Sequence, residues 1–388
     1  MFINDKETKK CQYAKKCSGC QLQNLNYKEQ LQMKQVKAIR LLGKYCHVEE
    51  IIGMESPYYY RNKVQSAFAY KNGKTVSGIY QSTTGKIVPV DSCLLEDKDA
   101  QKIVEAIKKL CPNFKIKPYD LNTGSGFLRH VLIRKGFASG EIMVVLVTSK
   151  SDFKSKISFV NELIRRHPEI TTIVWNINPT TTPLMLGNQS EILYGKGYIT
   201  ETLCGLSFRI SPRSFYQINP TQTEKLYSIA KEYALLTGSE KVIDAYCGTG
   251  TIGLTMADKA KEIIGVEVNS DAIKDAKENA KLNGITNAKF YNADAGDFMC
   301  ELAEKGEKAD VVITDPPRAG CSIKFLKSLL KLSPKRIVYI SCNPETQARD
   351  LITLTKNGYK VTKIQPVDLF PHANHVESVV CLKRQIQQ

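Results

Sequence analysis

From about residue 240 onward, short apolar segments alternate with segments of helical pattern. Regular alternation of this kind is typical of a parallel sheet that is covered by helices on both faces. The last two apolar segments lack a helix-length connection, so we expect them to form an antiparallel pair at one edge. The seven predicted strands cover residues 241–246, 262–268, 288–294, 310–315, 336–341, 359–367 and 377–384.

The first half of the chain has no such alternation. Residues 58–93 are rich in aromatic and β-branched side chains, and Asn72-Gly73 lies between two strand-like runs, which is a strong hairpin signal. We therefore predict an α+β domain over residues 1–205 and an α/β domain over residues 206–388. Helices are expected at residues 94–112 and 152–166, and a pair of strands is expected at residues 129–134 and 141–147.

The charge of the chain points to a polyanionic partner. Its 388 residues include 55 Lys and Arg against 39 Asp and Glu, a formal charge of +16. A surplus of this size, spread along the chain, favours RNA or DNA over a merely basic soluble protein. No apolar run approaches the roughly 18 residues that cross a bilayer. We expect a cytoplasmic monomer without a membrane partner.

A glycine-rich loop follows the first strand of the second half. Gly248, Gly250 and Gly253 have the Gly-x-Gly-x-x-Gly spacing, which lets the backbone approach a cofactor. The next strand ends at Glu267, placed to bind two ribose hydroxyls, and the third ends at Asp294, near the expected adenine. The loop alone fits a nicotinamide dinucleotide, S-adenosylmethionine or a purely structural turn.

Two further motifs end neighbouring strands. Asp315-Pro316-Pro317-Arg318 ends one, and Ser341-Cys342-Asn343-Pro344 ends the next. Carboxyl ends of parallel strands meet at one rim, where ligands bind. An acid, a guanidinium and a thiol have no role in an NAD site, whereas a methyltransferase places its acceptor there. The rim therefore favours a methyl donor, and an NAD-linked oxidoreductase is the remote alternative.

Cys342 is a candidate nucleophile. It precedes a predicted helix with Asn343 as its cap and Pro344 at its first position, and a helix N-terminus lowers the pKa of a thiol from about 8.5. Cys247 and Cys321 lie near the same rim, and spacing alone excludes neither of them.

A general base is expected just before the last strand. The segment from Pro371 to Ser378 brings His372, His375 and Glu377 together in sequence, and any of the three could accept a proton. A polar turn between two edge strands explains the same residues equally well.

The N-terminal region has a cysteine pattern of its own. Cys11, Cys17 and Cys20 are followed much later by Cys93, and four thiolates suit an iron–sulfur cluster or zinc. Zinc sites more often use two close pairs, so this pattern favours [4Fe–4S], with zinc or unrelated thiols as alternatives. The expected role is to staple the N-terminal arm to the first domain. RNA-contact candidates are Arg61, Lys63, Arg129, His130 and Arg134.

Together these motifs resemble the S-adenosylmethionine-dependent RNA (uracil-C5)-methyltransferases of ribosomal and transfer RNA. The resemblance covers nearly the whole chain. It implies a C-terminal Rossmann-like, seven-stranded methyltransferase domain and an N-terminal α+β domain that binds RNA and a [4Fe–4S] cluster. The motifs that carry it are Phe215-Tyr216-Gln217-Ile218-Asn219, Asp244 to Gly250, Asp315 to Arg318, Ser341 to Pro344 and His375 to Ser378.

The resemblance also implies roles for residues. Cys342 would add to C6 of uracil, C5 would take the methyl group, and Glu377 would remove the C5 proton. Thr251 matches a position that is often asparagine in relatives, and the role of Arg318 is open. The implied donor site consists of Gln217, Tyr246, Thr251, Glu267, Asp294 and Asp315.

The expected substrate is a uridine that leaves its stack to reach the site. Many relatives carry an N-terminal β-barrel, and because the cysteine motif begins at residue 11 we expect none here. This layout most resembles bacterial 23S rRNA methyltransferases. A tRNA T-loop uridine, converted to 5-methyluridine, is the alternative substrate.

Overall fold

The computed structural model describes residues 9–181 and 185–385. Its first sheet has seven strands in the order β3-β2-β1-β4-β5-β6-β7, and all neighbours are antiparallel except β5 and β6. The strands are β1 (Lys63–Lys71), β2 (Lys74–Tyr80), β3 (Ile87–Pro89), β4 (Leu128–Lys135), β5 (Ile142–Thr148), β6 (Ile170–Ile177) and β7 (Gln189–Tyr194).

The hairpin predicted at Asn72-Gly73 is confirmed. Both residues have positive φ, 50° and 76°, as the tight turns that match strand twist require. Helices α2 (Lys98–Asn113) and α3 (Lys156–Arg166) cover one face of this sheet and bury a core that includes Ile107, Val144 and Phe159. The other face packs on the hairpin of β8 (Ile199–Leu203) and β9 (Leu206–Ile210).

The second sheet also has seven strands, in the order β12-β11-β10-β13-β14-β16-β15. The predicted antiparallel pair at one edge is confirmed, because β16 runs antiparallel to both β14 and β15. The strands match the apolar segments within a few residues. They are β10 (Lys241–Ala245), β11 (Glu262–Glu267), β12 (Ala288–Asn292), β13 (Val311–Thr314), β14 (Arg336–Ser341), β15 (Tyr359–Val367) and β16 (Glu377–Arg384).

Helices cover both faces of the second sheet, as the uninterrupted apolar strands require. No helix in the described part of the chain is long and apolar enough to cross a membrane. The helices of this half are α4 (Pro220–Ala234), α5 (Thr251–Leu254), α6 (Ser270–Leu282), α7 (Ala295–Glu304), α8 (Ile323–Leu332) and α9 (Pro344–Lys356).

The first helix, α1 (Tyr27–Leu42), belongs to the first half in sequence but packs against the second sheet. Its buried Ala38 and Leu42 join the core formed by β14, α8 and α9. The chain after α1 then runs beside the edge strand β15, where the Ile52 N–H donates to the Pro366 carbonyl at 3.1 Å. The N-terminal segment therefore extends the fold of the C-terminal half.

A buried ion pair fixes this arrangement. Lys34 Nζ lies 2.6 Å from Asp368 Oδ1, and both side chains are at most 1% exposed. Lys34 also donates to the Phe370 carbonyl at 3.0 Å, and the Tyr27 hydroxyl donates to Asp368 Oδ2 at 2.8 Å. Because Asp368 follows β15 directly, α1 holds the loop that leads to β16.

We expect Lys34→Met to lower the free energy of unfolding by about 3–5 kcal/mol, because it leaves the Asp368 carboxylate buried without its cation. The double variant Lys34→Met/Asp368→Asn removes both charges and keeps an acceptor for Tyr27. It should recover most of the lost stability, measured by denaturant unfolding. Equal loss in the single and double variants would show that packing, and not charge pairing, is responsible.

Candidate active site

The strand register aligns the predicted site residues along one rim of the second sheet. Ala245 pairs with Val266 on one side and with Thr314 on the other, so Tyr246 lies between Glu267 and Asp315. On the far side of β14, Ser341 pairs with Ser378 in antiparallel register. Cys342 is therefore opposite Glu377.

Of the three rim cysteines, Cys342 alone keeps appreciable solvent exposure. Cys247 and Cys321 are 4% and 5% exposed, whereas Cys342 is half-buried. The Cys321 thiol contacts the buried Tyr339 hydroxyl, and burial raises its pKa to about 12. Its greater exposure favours Cys342 as the candidate nucleophile among the three rim thiols.

The helix after Cys342 forms as predicted. Asn343 is the N-cap of α9 and accepts from the Glu345 N–H at 3.1 Å, and Pro344 occupies the first turn. The net pKa of the Cys342 thiol is nevertheless raised and not lowered. Burial, Glu377 and Asp315 raise the pKa to about 11, and only Arg318 among the neighbouring charged side chains opposes them. Loss of hydration and nearby carboxylates outweigh the helix end.

Carboxyl groups cluster around this thiol. Burial raises the pKa of Asp315 to about 7. Glu377 is 4% exposed, and its pKa is raised well above the usual value by burial and then by Asp315. Asp244, at the start of the glycine loop, also has a pKa raised to about 7 by burial. The rim is therefore a poorly hydrated site that favours neutral acids until a cation enters.

The three candidate bases occupy different environments. His372 is buried, its ring contacts the Gln30 amide at 3.1 Å and the Pro57 carbonyl at 3.1 Å, and burial lowers its pKa to about 4. His375 is half-buried with its ring 3.2 Å from the Arg318 guanidinium. Only Glu377 lies opposite Cys342 in the sheet register.

The glycine loop packs tightly against the neighbouring strands. Gly250 has φ of 81°, and a Cβ there would meet the Phe290 ring at 3.0 Å. The Gly253 N–H donates to Asp244 Oδ2 at 2.8 Å, which ties the loop to the end of β10. Glu267 accepts from the Gly248 N–H at 3.3 Å, so the acid and the loop share one edge.

The remaining predicted donor residues have different surroundings. The Gln217 carbonyl accepts from the Asn62 amide at 3.1 Å, which joins the segment before α4 to the first sheet. Asp294 is exposed and caps α7. The Thr251 hydroxyl lies 3.0 Å from the buried Tyr227 hydroxyl, so its side chain points into the protein.

The sequence motifs did not assign a function to Phe215. It is 67% exposed although its neighbours Ser214 and Tyr216 are buried, and it precedes Gln217 by two residues. An aromatic ring in a short polar segment before a helix cap was the available signal. An exposed aromatic ring of this kind can stack on a nucleobase.

The four N-terminal cysteines lie near one another. Cys17, Cys20 and Cys93 line one pocket together with Arg61, and backbone N–H groups donate to the sulfurs of Cys17 and Cys93 at 3.4 Å. After burial, the charges of Cys93, Cys17 and Cys11 help raise the pKa of Cys20 to about 12. No group of His, Cys, Asp or Glu in the described residues is arranged to hold a metal ion.

The prediction that Arg129 and Arg134 form an exposed RNA surface is wrong. They are 4% and 5% exposed. Arg129 donates to the Asn178 and Thr180 carbonyls, and Arg134 donates to the Ser214 carbonyl. Arg61 lines the cysteine pocket. These guanidinium groups satisfy backbone acceptors or face the thiols inside the protein.

Comparison with known proteins identifies the family. Residues 186–385 match the model of the tRNA (uracil-5-)-methyltransferase family. The chain belongs to this family of S-adenosylmethionine-dependent RNA methyltransferases. An uncharacterized RNA methyltransferase of Clostridium tetani is 43% identical over 96% of this chain and 82% of its own length. One of Clostridium acetobutylicum is 44% identical over 96% of this chain and 83% of its own.

A solved structure agrees with the fold of this RNA methyltransferase. The tRNA (uracil-54, C5)-methyltransferase of Pyrococcus abyssi, in complex with S-adenosyl-L-homocysteine, has 30% identity and a TM-score of 0.78. The match covers 94% of this chain and 86% of the other. The seven-stranded methyltransferase sheet and S-adenosylmethionine as methyl donor are therefore supported beyond the sequence motifs.

Arg318→Gln should raise the pKa of Cys342 above about 11, because Arg318 lowers it. At a fixed pH below that value the thiolate fraction falls, and alkylation by iodoacetamide slows about threefold for each half unit of pKa. The rate is followed by mass spectrometry of the peptide that contains Cys342. Arg40→Gln, which removes an exposed charge from α1, should leave the rate unchanged. An unaltered pH midpoint in Arg318→Gln would contradict the electrostatic account.

Proposed function

We propose that this methyltransferase transfers a methyl group from S-adenosylmethionine to C5 of a uridine in 23S rRNA, through a covalent bond between Cys342 and C6. The placement of the Cys342 thiol opposite the Glu377 carboxyl, with Asp315 beside both, carries the chemical part of this proposal. A nucleophile and a base on opposite strands can act on adjacent atoms of one ring.

The chemistry balances with these two residues. The Cys342 thiolate adds to C6, and the C5–C6 electrons move into an enolate that makes C5 nucleophilic. C5 takes the methyl group from the donor sulfonium, which leaves as the neutral thioether. Glu377, ionised to its carboxylate, then accepts the C5 proton, and the electrons of that C–H bond re-form C5–C6 as Cys342 leaves as a thiolate.

The donor would occupy the other half of the rim. Glu267 would bind the ribose hydroxyls, Tyr246 packs on Phe325 with ring centroids 5.2 Å apart, and Asp294 caps α7 after the third strand. Gln217 and Asp315 would flank the sulfonium side, with the Thr251 hydroxyl supporting the loop from within through Tyr227. Phe215 would stack on the flipped uracil.

A tRNA T-loop uridine is the second candidate substrate. It is favoured by the 30% identity to a tRNA (uracil-54, C5)-methyltransferase over 94% of this chain. The 23S rRNA proposal rests on the sequence resemblance. In either case we propose that residues 1–205 serve as the RNA-binding domain and residues 206–388 as the methyltransferase domain. We also propose that the enzyme is active as a monomer.

We further propose that Cys11, Cys17, Cys20 and Cys93 bind a [4Fe–4S] cluster. In such a cluster each thiolate binds a different iron atom, so the sulfurs need not converge on one point as zinc ligands do. Backbone N–H donors to two of the sulfurs and the Arg61 guanidinium suit an anionic cluster. The cluster would supply a structural link between the N-terminal arm and the segment around Cys93.

With RNA that contains 5-fluorouridine, the enzyme should form an adduct that survives denaturation, because fluorine at C5 cannot leave as a proton does. Cys342→Ala should abolish the adduct, and Glu377→Gln should slow turnover on normal RNA by about 10²- to 10⁴-fold. Gel shift and labelled methyl incorporation measure the two effects. Cys300→Ala, a half-exposed thiol outside the rim, is the control.

Assays with unmodified 23S rRNA and tRNA side by side decide the substrate. Methyl incorporation into tRNA but not into 23S rRNA would identify tRNA as the substrate. An adduct that persists in Cys342→Ala would refute the mechanism for both RNAs.

Purified without oxygen, the protein should contain about four iron atoms per chain and absorb visible light broadly. Cys93→Ser should lose both signals, whereas Cys46→Ser, a half-buried thiol outside the pocket, should keep them. About one zinc per chain without iron would instead identify a zinc site. Absence of both metals would contradict any metal centre here.

A further inference from the structure

An open basic hollow lies on the first domain, away from the rim. It is bounded by the β1–β2 hairpin on one side and by the end of α2 and the loop after it on the other. We call it the lysine groove. Its charged and aromatic lining residues are Lys74, Lys108, Lys109, Lys115, Lys117 and Tyr70.

The lysine groove has no acidic lining residue. Lys108 and Lys109 pair with carboxylates outside the lining, Lys108 with Asp91 at 2.8 Å and both with Glu105. The other three, Lys74, Lys115 and Lys117, are exposed and form no ion pair within the described ranges. Like charges in one hollow repel each other, so an anion that entered would lower the free energy of the site.

Helix capping explains part of this arrangement. Lys115 has φ of 55° because it follows Phe114, the C-cap of α2, and the Ile116 N–H donates to the Cys111 carbonyl at 2.8 Å. Capping does not account for Lys74, which comes from the hairpin on the opposite wall, or for Lys117 beyond the cap. Lysines from separate elements therefore converge on one hollow, and this convergence favours an anionic ligand.

The position of the lysine groove indicates how it relates to the rim. Asn62, just before β1, donates to the carbonyl of Gln217, a proposed donor-site residue, and Tyr70 lies eight residues further along. At about 3.3 Å per residue the lysine groove is roughly 26 Å away. Tyr70 is 68% exposed and can stack on a base, while lysines contact phosphates without reading sequence.

We propose that the lysine groove binds the phosphate backbone of the substrate RNA at a segment remote from the target uridine. This rests on the proposed function for the identity of the RNA. The lysine groove would hold the folded RNA while one nucleotide enters the rim, and it would favour large structured RNAs over short hairpins.

The test is the triple variant Lys74→Gln/Lys115→Gln/Lys117→Gln, with unmodified 23S rRNA and tRNA transcripts as probes. Binding is measured by fluorescence anisotropy over a range of salt concentrations. We expect roughly tenfold weaker binding and a salt slope smaller by about 2 to 3, because each of the three lost phosphate contacts removes about 0.7 to 0.9 from the slope. The matched control is Lys308→Gln/Lys356→Gln/Lys360→Gln, which removes three exposed lysines from the second domain.

The control variant should bind both probes as the unaltered protein does. Equal salt slopes in the groove and control variants, or no change in either, would overturn the lysine groove as an RNA site. Methyl incorporation by the unaltered protein is measured separately. A groove-specific loss of binding without any uridine methylation would retain the RNA site and reject the proposed reaction.

Discussion

The buried pair of Lys34 and Asp368 is the interaction on which the arrangement of the active site depends. Its partners are 334 residues apart in sequence and almost fully buried. Removing two charges from water costs several kcal/mol per ion, so such a pair contributes little net stability compared with an apolar pair. What it provides is a single permitted position of α1 against the loop before β16, because any displacement leaves a buried charge without its partner.

Other N-terminal segments hold the same loop. The Leu22 N–H donates to the His372 carbonyl at 3.0 Å, two residues after Cys20, and the Tyr60 hydroxyl donates to the Pro371 carbonyl at 2.9 Å. Glu377 begins the strand that follows. The catalytic sheet therefore supplies the rim residues, but the N-terminal arm positions the loop that delivers the proposed base. This coupling gives the cysteine pocket a physical route to the active site without any redox role.

Local patterns predicted the second sheet well. Its central strands β10, β11, β13 and β14 are largely buried and appear as nearly uninterrupted apolar runs, and β14 followed by the Asn343 cap needs no long-range contact to be recognised. The docking of α1 could not be predicted, since it depends on contacts across the whole chain. Arg129 looks like a surface residue in sequence, and only the tertiary fold shows that carbonyl groups surround its guanidinium. The raised pKa of Cys342 could not be predicted for the same reason, because the carboxyl groups that raise it come from other strands.

Under the proposed function, the raised pKa values at the rim have a consequence for the reaction. Asp315, Glu377 and Cys342 all favour their neutral forms while the site is poorly hydrated and has Arg318 as its nearby cation. A sulfonium bound beside Asp315 adds positive charge where hydration is low, and Coulomb interactions there are strong. The thiol then ionises more readily, and its addition to uracil becomes coupled to the presence of the methyl donor. A site with a low-pKa thiol would lack this coupling, because it could attack C6 before any methyl group was at hand.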